Sequence, residues 1–202
     1  MRALLLALPF CLLLSLLPGC SQPQLPFLGE DGRVLAFGDS LTQGVGAAQG
    51  MDYPSRLALL CQCEVINAGV SGETTAEGAA RLPEVLDETQ PDLIILLEGG
   101  NDILKSTGKD ALKANLATML REAKQRSIPV LLVAVPDRQI MLKPLPLYRE
   151  LADEFAVPLL EDTVAELLSQ SAMKSDTVHF NDAGYHALAE QIHQLALESG
   201  AF

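Results

Sequence analysis

Ser40, Asp176 and His179 are the residues whose types could together do covalent chemistry. A serine hydroxyl attacks an acyl carbon when three conditions hold: a base takes its proton, a carboxylate orients that base, and donors receive the oxyanion. The chain has three histidines, His179, His186 and His193. His179 closes Asp176-Thr177-Val178-His179, just before Asn181-Asp182 open the last helical stretch. A carboxylate three residues before a histidine, across a turn, can reach one ring nitrogen and leave the other free for a nucleophile. His186 and His193 recur seven residues apart on the following helix and read as surface or half-buried positions. Glu190-x-x-His193 has the spacing of a di-metal bundle but occurs once, so no metal is expected. Ser40 and Ser71 each follow a strand. Ser40 is the stronger nucleophile, because it stands where the chain turns into a helix and a backbone N–H near that start can serve the oxyanion. No Gly-x-Ser-x-Gly elbow occurs, so an α/β-hydrolase is not supported.

The elements that must position these residues alternate. Strands are expected at Val34 to Phe37, Glu64 to Asn67, Asp92 to Leu97, Val130 to Val135 and Val157 to Leu160. Between them, Pro54 opens a helix that runs to about Leu60, and the capping-box pair Thr74 and Glu77 starts another. Leu112, Leu116, Met119, Leu120 and Ala123 mark one face of a third, and Tyr148 to Phe155 and Asp162 to Ser169 read as two more. Asp182 can cap the last helix, with Leu188, Ile192 and Leu195 inward. Apolar strands separated by helices imply an α/β fold: a five-stranded parallel sheet in a three-layer α/β/α sandwich, flavodoxin-like. Sites in such sheets form at the carboxyl ends of the strands. Gly38-Asp39-Ser40, Asn67-Ala68-Gly69 and Gly99-Gly100-Asn101-Asp102 each follow a strand directly.

Composition bounds the setting. The chain has 202 residues, enough for one domain, and a formal charge of −12, which opposes nucleic acid and an electrostatic grip on anionic lipid. Arg2 followed by an apolar run to Leu17 reads as a signal peptide over residues 1–19. Residues 20–32 are Pro/Gly-rich and read as a tether, leaving 33–202 as the folded domain. Leu17-Pro18-Gly19-Cys20 resembles a bacterial lipobox, with Pro18 where Ala or Ser is usual. That resemblance implies lipidation of Cys20, a membrane held through the lipid, and residence on the outer membrane facing the periplasm, since Ser21 replaces the retention Asp. Cys61 and Cys63 flank Gln62; a disulfide across so short a ring is strained, so they read as small buried residues. Residues 136–147 form a long connection, in which Ile140, Met141, Leu142, Leu145 and Leu147 either line an acyl groove or pack on the core.

Four blocks in order carry a family resemblance. Phe37-Gly38-Asp39-Ser40-Leu41-Thr42, Asn67-Ala68-Gly69, Gly99-Gly100-Asn101-Asp102 and Asp176-x-x-His179 resemble the blocks of the SGNH (GDSL) hydrolases. Within that family the chain resembles the small bacterial arylesterases with thioesterase and lysophospholipase activity. The resemblance implies Ser40 as nucleophile, His179 as base and Asp176 as its orienter. It implies an oxyanion hole of the Ser40 and Gly69 N–H groups and the Asn101 amide, and no metal or organic cofactor. The expected substrate is a small acyl ester, thioester or lysolipid. A carbohydrate O-acetylesterase or acyltransferase on the same fold is the alternative; an idle envelope-binding lipoprotein is a further one. Phe180 departs from the Pro that many relatives carry there. Asp39 and Asp102 are expected to bond loop backbone rather than act in catalysis.

Overall fold

A computed structural model describes residues 23–29, 31–137 and 142–202. Among these residues five parallel strands form one sheet: β1 (Arg33–Gly38), β2 (Glu64–Gly69), β3 (Leu93–Leu97), β4 (Val130–Val133) and β5 (Leu159–Leu160). Their order is β2-β1-β3-β4-β5, with Ala36 level with Ile95 on one side and Asn67 on the other. Val34 to Phe37 and the whole of β3 are buried, as an unbroken apolar run covered on both faces requires.

Among the described residues eight helices follow the alternation: α1 (Ser40–Gln43), α2 (Tyr53–Cys61), α3 (Thr75–Thr89), α4 (Gly100–Lys105), α5 (Lys109–Gln125), α6 (Pro146–Phe155), α7 (Thr163–Ser169) and α8 (Asp182–Glu198). α2 packs on α8, while α3 packs on α5 and α5 on α6, giving the expected three layers. Leu112, Leu116, Met119, Leu120 and Ala123 are the buried stripe of α5, with Ala117 beside them. The Thr74–Glu77 capping box is formed, and the Glu77 carboxylate accepts from Thr74 N–H at 2.8 Å.

Several expectations are corrected. β4 ends at Val133, two residues early, because Val135 turns into a bridge between Pro136 and Pro144. Asn181, not Asp182, caps α8: its side chain accepts from Gly184 N–H at 3.0 Å, and Asp182 instead accepts from Ala48 N–H. Cys61 and Cys63 are half-buried and joined in a disulfide, not free and buried. Gln62 takes a left-handed conformation (φ 53°) at the end of α2, and this reversal brings the two Cα atoms to 5.2 Å, an ordinary disulfide span. The stretch read as a tether is pinned over part of its length. Leu25 is buried and its N–H donates to Ser199, and Leu28 N–H donates to Ala201.

Candidate active site

The site stands at the carboxyl ends of the strands. β1 ends at Gly38, and Asp39 caps the single turn of α1, its carboxylate accepting from Leu41 N–H at 3.0 Å. This places Ser40 at the first position of the helix, with its side chain outward and its N–H among the unsatisfied donors of a helix start. Asp39 is buried, and that burial raises its carboxyl to about 6 against the lowering pull of the Leu41 and Gly100 N–H groups and of His179.

His179 reaches Ser40 from a separate loop. Its Nε2 lies 3.0 Å from Ser40 Oγ, and its Nδ1 lies 2.8 Å from Asp176 Oδ2. The other Asp176 oxygen accepts from the Val178 and His179 N–H groups, each at 2.8 Å. Partial burial works against the Asp176 charge, but the His179 ring and the two N–H groups outweigh it and hold the carboxyl down at about 2. The loop is fixed from behind. Phe180 is fully buried and meets Tyr185 edge-on, ring centroids 5.4 Å apart, which anchors the residue after His179 in the core.

Asn101 arrives from α4, an element absent from the sequence reading. Its Nδ2 donates to the Glu73 carbonyl at 2.9 Å and lies 3.5 Å from Asp39. Asn101 faces the same cavity as Ser40 and His179, of about 560 Å³. Asp102, next to it, turns inward: it is buried and accepts from Thr75 N–H and Thr75 Oγ1, both at 2.8 Å, and from Thr107 Oγ1 at 3.0 Å. It therefore ties α3 to α4.

Gly69 does not join them. Its N–H donates to the Asn67 side-chain oxygen at 2.9 Å, and a Cβ there would lie 2.0 Å from Gln43 N. Gly69 is small so that the chain can pass α1, and its donor is already used. Gly72 lines the cavity instead, at φ +82° with open space beside it. No hydrogen bond among the described residues engages its N–H, while its carbonyl accepts from Lys105 Nζ at 2.8 Å. Ser71 lines the same cavity, but the ring nitrogen of His179 is bonded to Ser40. His186 is exposed and lies 3.4 Å from Glu190, and His193 stacks on Phe202; both stand outside the site.

The cavity wall is apolar where the 136–147 connection meets it. Leu142 lines it together with Ile103, Leu104, Val135, Leu168 and Val178. Leu145 and Leu147 are buried in the core instead, and Ile140 and Met141 lie outside the described residues, as does Cys20. Among the described residues no helix is long and apolar enough to cross a membrane.

Residues 36–187 match the GDSL-like lipase/acylhydrolase family. The chain is 36% identical over 140 residues to "Esterase TesA" of Pseudomonas aeruginosa, covering 67% of this chain and 65% of that protein. It is 31% identical over 156 residues to "Thioesterase 1/protease 1/lysophospholipase L1" of Escherichia coli K12, covering 73% and 75%. In three dimensions it resembles AlinE4, an SGNH-hydrolase family esterase, with TM-score 0.59 and 34% identity over 65% of this chain and 76% of that one. The crystal structure of TesA superposes with TM-score 0.69 and 26% identity over 81% of this chain and 97% of that one. With four motif blocks in order, a serine, histidine and aspartate in hydrogen-bonded sequence and a family match over most of its length, the chain belongs to the GDSL-like lipase/acylhydrolase family.

Proposed function

We propose that this chain is a serine esterase that hydrolyses acyl esters or thioesters through an acyl-enzyme. The observation that carries the reading is the unbroken line Ser40 Oγ–His179 Nε2, 3.0 Å, and His179 Nδ1–Asp176 Oδ2, 2.8 Å, opening into a cavity. Ser40 Oγ attacks the acyl carbon while His179 Nε2 takes its proton. Asp176, ionised at working pH, holds the ring and balances the imidazolium charge. His179 then protonates the leaving alkoxide or thiolate. A water molecule, deprotonated by His179, attacks the Ser40 ester, and the proton returns to Ser40 as the acid leaves.

The oxyanion falls between three donors: the Ser40 N–H, the Gly72 N–H and the second hydrogen of the Asn101 amide, whose first is held by Glu73 and whose second exchanges its long 3.5 Å contact with Asp39 for the oxyanion. An amide has two donor hydrogens and does not compete as a base, so one can position the group while the other acts.

The apolar wall of Ile103, Leu104, Val135, Leu142, Leu168 and Val178 favours an acyl chain over an acetylated sugar ring. Its volume, about 560 Å³, is that of a small-molecule site. A chain-length series of p-nitrophenyl esters, set beside a lysophospholipid, an acyl thioester and an acetylated xylan, tests the assignment. Rising kcat/KM beyond acetate supports it. Activity confined to the acetylated glycan overturns it.

Residues 1–19 act in this reading as a leader, and Cys20 as a lipid anchor that holds the enzyme on a membrane in the periplasm. Gln24, Leu25 and Pro26 stand beside Pro129 and Pro158, which precede β4 and β5, at the sheet end opposite Ser40. An anchor five residues before Leu25 would thus leave the cavity facing the aqueous side. Lipid mass on Cys20 and its loss with Cys20→Ser are the expected results; a wild-type protein wholly soluble and without that mass would refute the anchor.

A further inference from the structure

Behind the oxyanion hole lies a buried acid that the mechanism above does not use. Glu98 follows the last residue of β3, between Leu97 and Gly99, and is fully buried. One oxygen, Oε2, accepts from Gly99 N–H at 3.0 Å. The other, Oε1, is buried and accepts no hydrogen bond among the described residues. Oε1 of Glu98 and Oε2 of Glu73 each lie 3.6 Å from the empty side-chain position of Gly78, and the two side chains come within hydrogen-bond reach of one another.

The charged groups around this point are few. Glu73 is held by Arg81, whose Nε and terminal nitrogen donate to its two oxygens at 2.8 and 2.7 Å. Arg81 in turn lies over the Phe37 ring and donates to the Ala68 carbonyl. Asp39 stands at the end of β1, and Tyr148, from α6, donates its hydroxyl to the Glu98 carbonyl at 2.6 Å. Among the described residues the cation at this point, Arg81, already serves Glu73. A second carboxylate would be a buried charge without a partner, which is the costlier state. Burial, with Asp39 and Glu73 nearby, raises the Glu98 carboxyl to about 10. A protonated Oε1 is no longer an acceptor in want of a donor. It is a donor, and the Glu73 carboxylate is the acceptor within reach.

Glu73 also carries the backbone carbonyl that holds Asn101 Nδ2, and it follows Gly72 directly. We infer that Glu98 is a positioning residue of the esterase reaction: as a neutral acid it donates a hydrogen bond to Glu73 and so fixes the 72–73 segment that aims two of the three oxyanion donors. The inference rests on the esterase reading and adds to it a residue that never touches substrate.

Three measurements test it. Infrared spectroscopy of the wild-type protein at pH 8 should show a protonated-carboxyl stretch that Glu98→Gln removes. Glu98→Gln, which keeps a donor, should retain wild-type kcat. Glu98→Leu, which has none, should lose kcat on the order of tenfold with KM unchanged, the size of one net hydrogen bond. Absence of the band in the wild type, its persistence in Glu98→Gln, or equal loss of kcat in both variants overturns the inference. Should Glu98→Leu fail to fold, the band and the kcat of Glu98→Gln still decide. Loss of activity in Ser40→Ala tests the esterase reading separately, since the infrared band does not depend on it.

Discussion

Asn101 and Asp102 are neighbours on α4, and their substitutions should fail in opposite ways. Asn101→Ala removes a donor aimed at charge that exists only in the transition state, so kcat should fall with little change in KM. One such donor is worth about 10²–10³ in kcat, or ~2.7–4 kcal/mol. Its cost to folding is smaller, because the 2.9 Å bond to the Glu73 carbonyl and the weak 3.5 Å contact with Asp39 are lost, ~1 kcal/mol. Asp102→Asn reverses the balance. The carboxylate accepts three hydrogen bonds, from Thr75 N–H, Thr75 Oγ1 and Thr107 Oγ1, while buried. Two of those donors are hydroxyls that can rotate; Thr75 N–H cannot. An amide that turns its NH₂ to that donor leaves both unsatisfied, and one that turns its oxygen there loses charge-assisted strength. The expected cost is about 1–3 kcal/mol of stability, with Tm falling by about 2–4 °C for each. Steady-state kinetics beside thermal unfolding of both variants is the assay. Near wild-type kcat in Asn101→Ala, together with lost kcat in an Asp102→Asn protein of unchanged Tm, would refute the assignment of roles.

Other outcomes follow from the same geometry. Gly69→Ala should lower Tm and yield, because its Cβ would lie 2.0 Å from Gln43 N and 2.5 Å from the Thr42 carbonyl carbon; Gly72→Ala, at φ +82° in open space, should lower kcat at a cost of only ~1–2 kcal/mol in stability. The reverse pattern would restore Gly69 to the oxyanion hole. Glu98 has a raised carboxyl, so the native state keeps a proton that the unfolded chain releases above its ordinary range, near 4.5. Wild-type stability should therefore fall as pH rises from there towards about 10, by at most ~1.4 kcal/mol per unit. Urea unfolding at pH 6 and 9 should show that slope reduced in Glu98→Gln, and an equal slope in both proteins would count against it. The Cys61–Cys63 ring closes almost no chain, so replacing both by alanine should cost about 2 kcal/mol or less on urea unfolding; a larger loss would mean that the bridge supports the end of α2 in some other way.

Much of the fold is legible in the chain because burial leaves a periodic trace. β3 is an unbroken apolar run, α5 shows its stripe, and the Thr74–Glu77 box marks where α3 begins. The Asp176-x-x-His179 spacing is also local, since a turn closes the pair without help from the rest of the fold. What escaped depends on contacts between distant segments. α4 has six residues and begins with glycine, too short for a period and poor in propensity. That the Gly69 N–H is engaged depends on the Asn67 side chain folding back onto it, which the order of residues does not reveal. The cysteine pair departs from the sequence expectation because Gln62 adopts a left-handed conformation that β-carbon sterics disfavour. Glu98 did leave a signal, a single acid closing an apolar strand. Its partner Glu73 stands 25 residues earlier in the chain, and only the sheet brings them together.

The central claim is that Ser40 carries the acyl group. A fluorophosphonate probe followed by peptide mass mapping measures this directly, on the wild type and on Ser40→Ala. One adduct on Ser40 is expected, with no labelling and no ester hydrolysis in a Ser40→Ala protein that unfolds at the wild-type temperature. A triad serine is worth on the order of 10⁴–10⁶ in rate, so residual activity should be lost in the background. An adduct on Ser71, or esterase activity persisting in folded Ser40→Ala, would contradict the account.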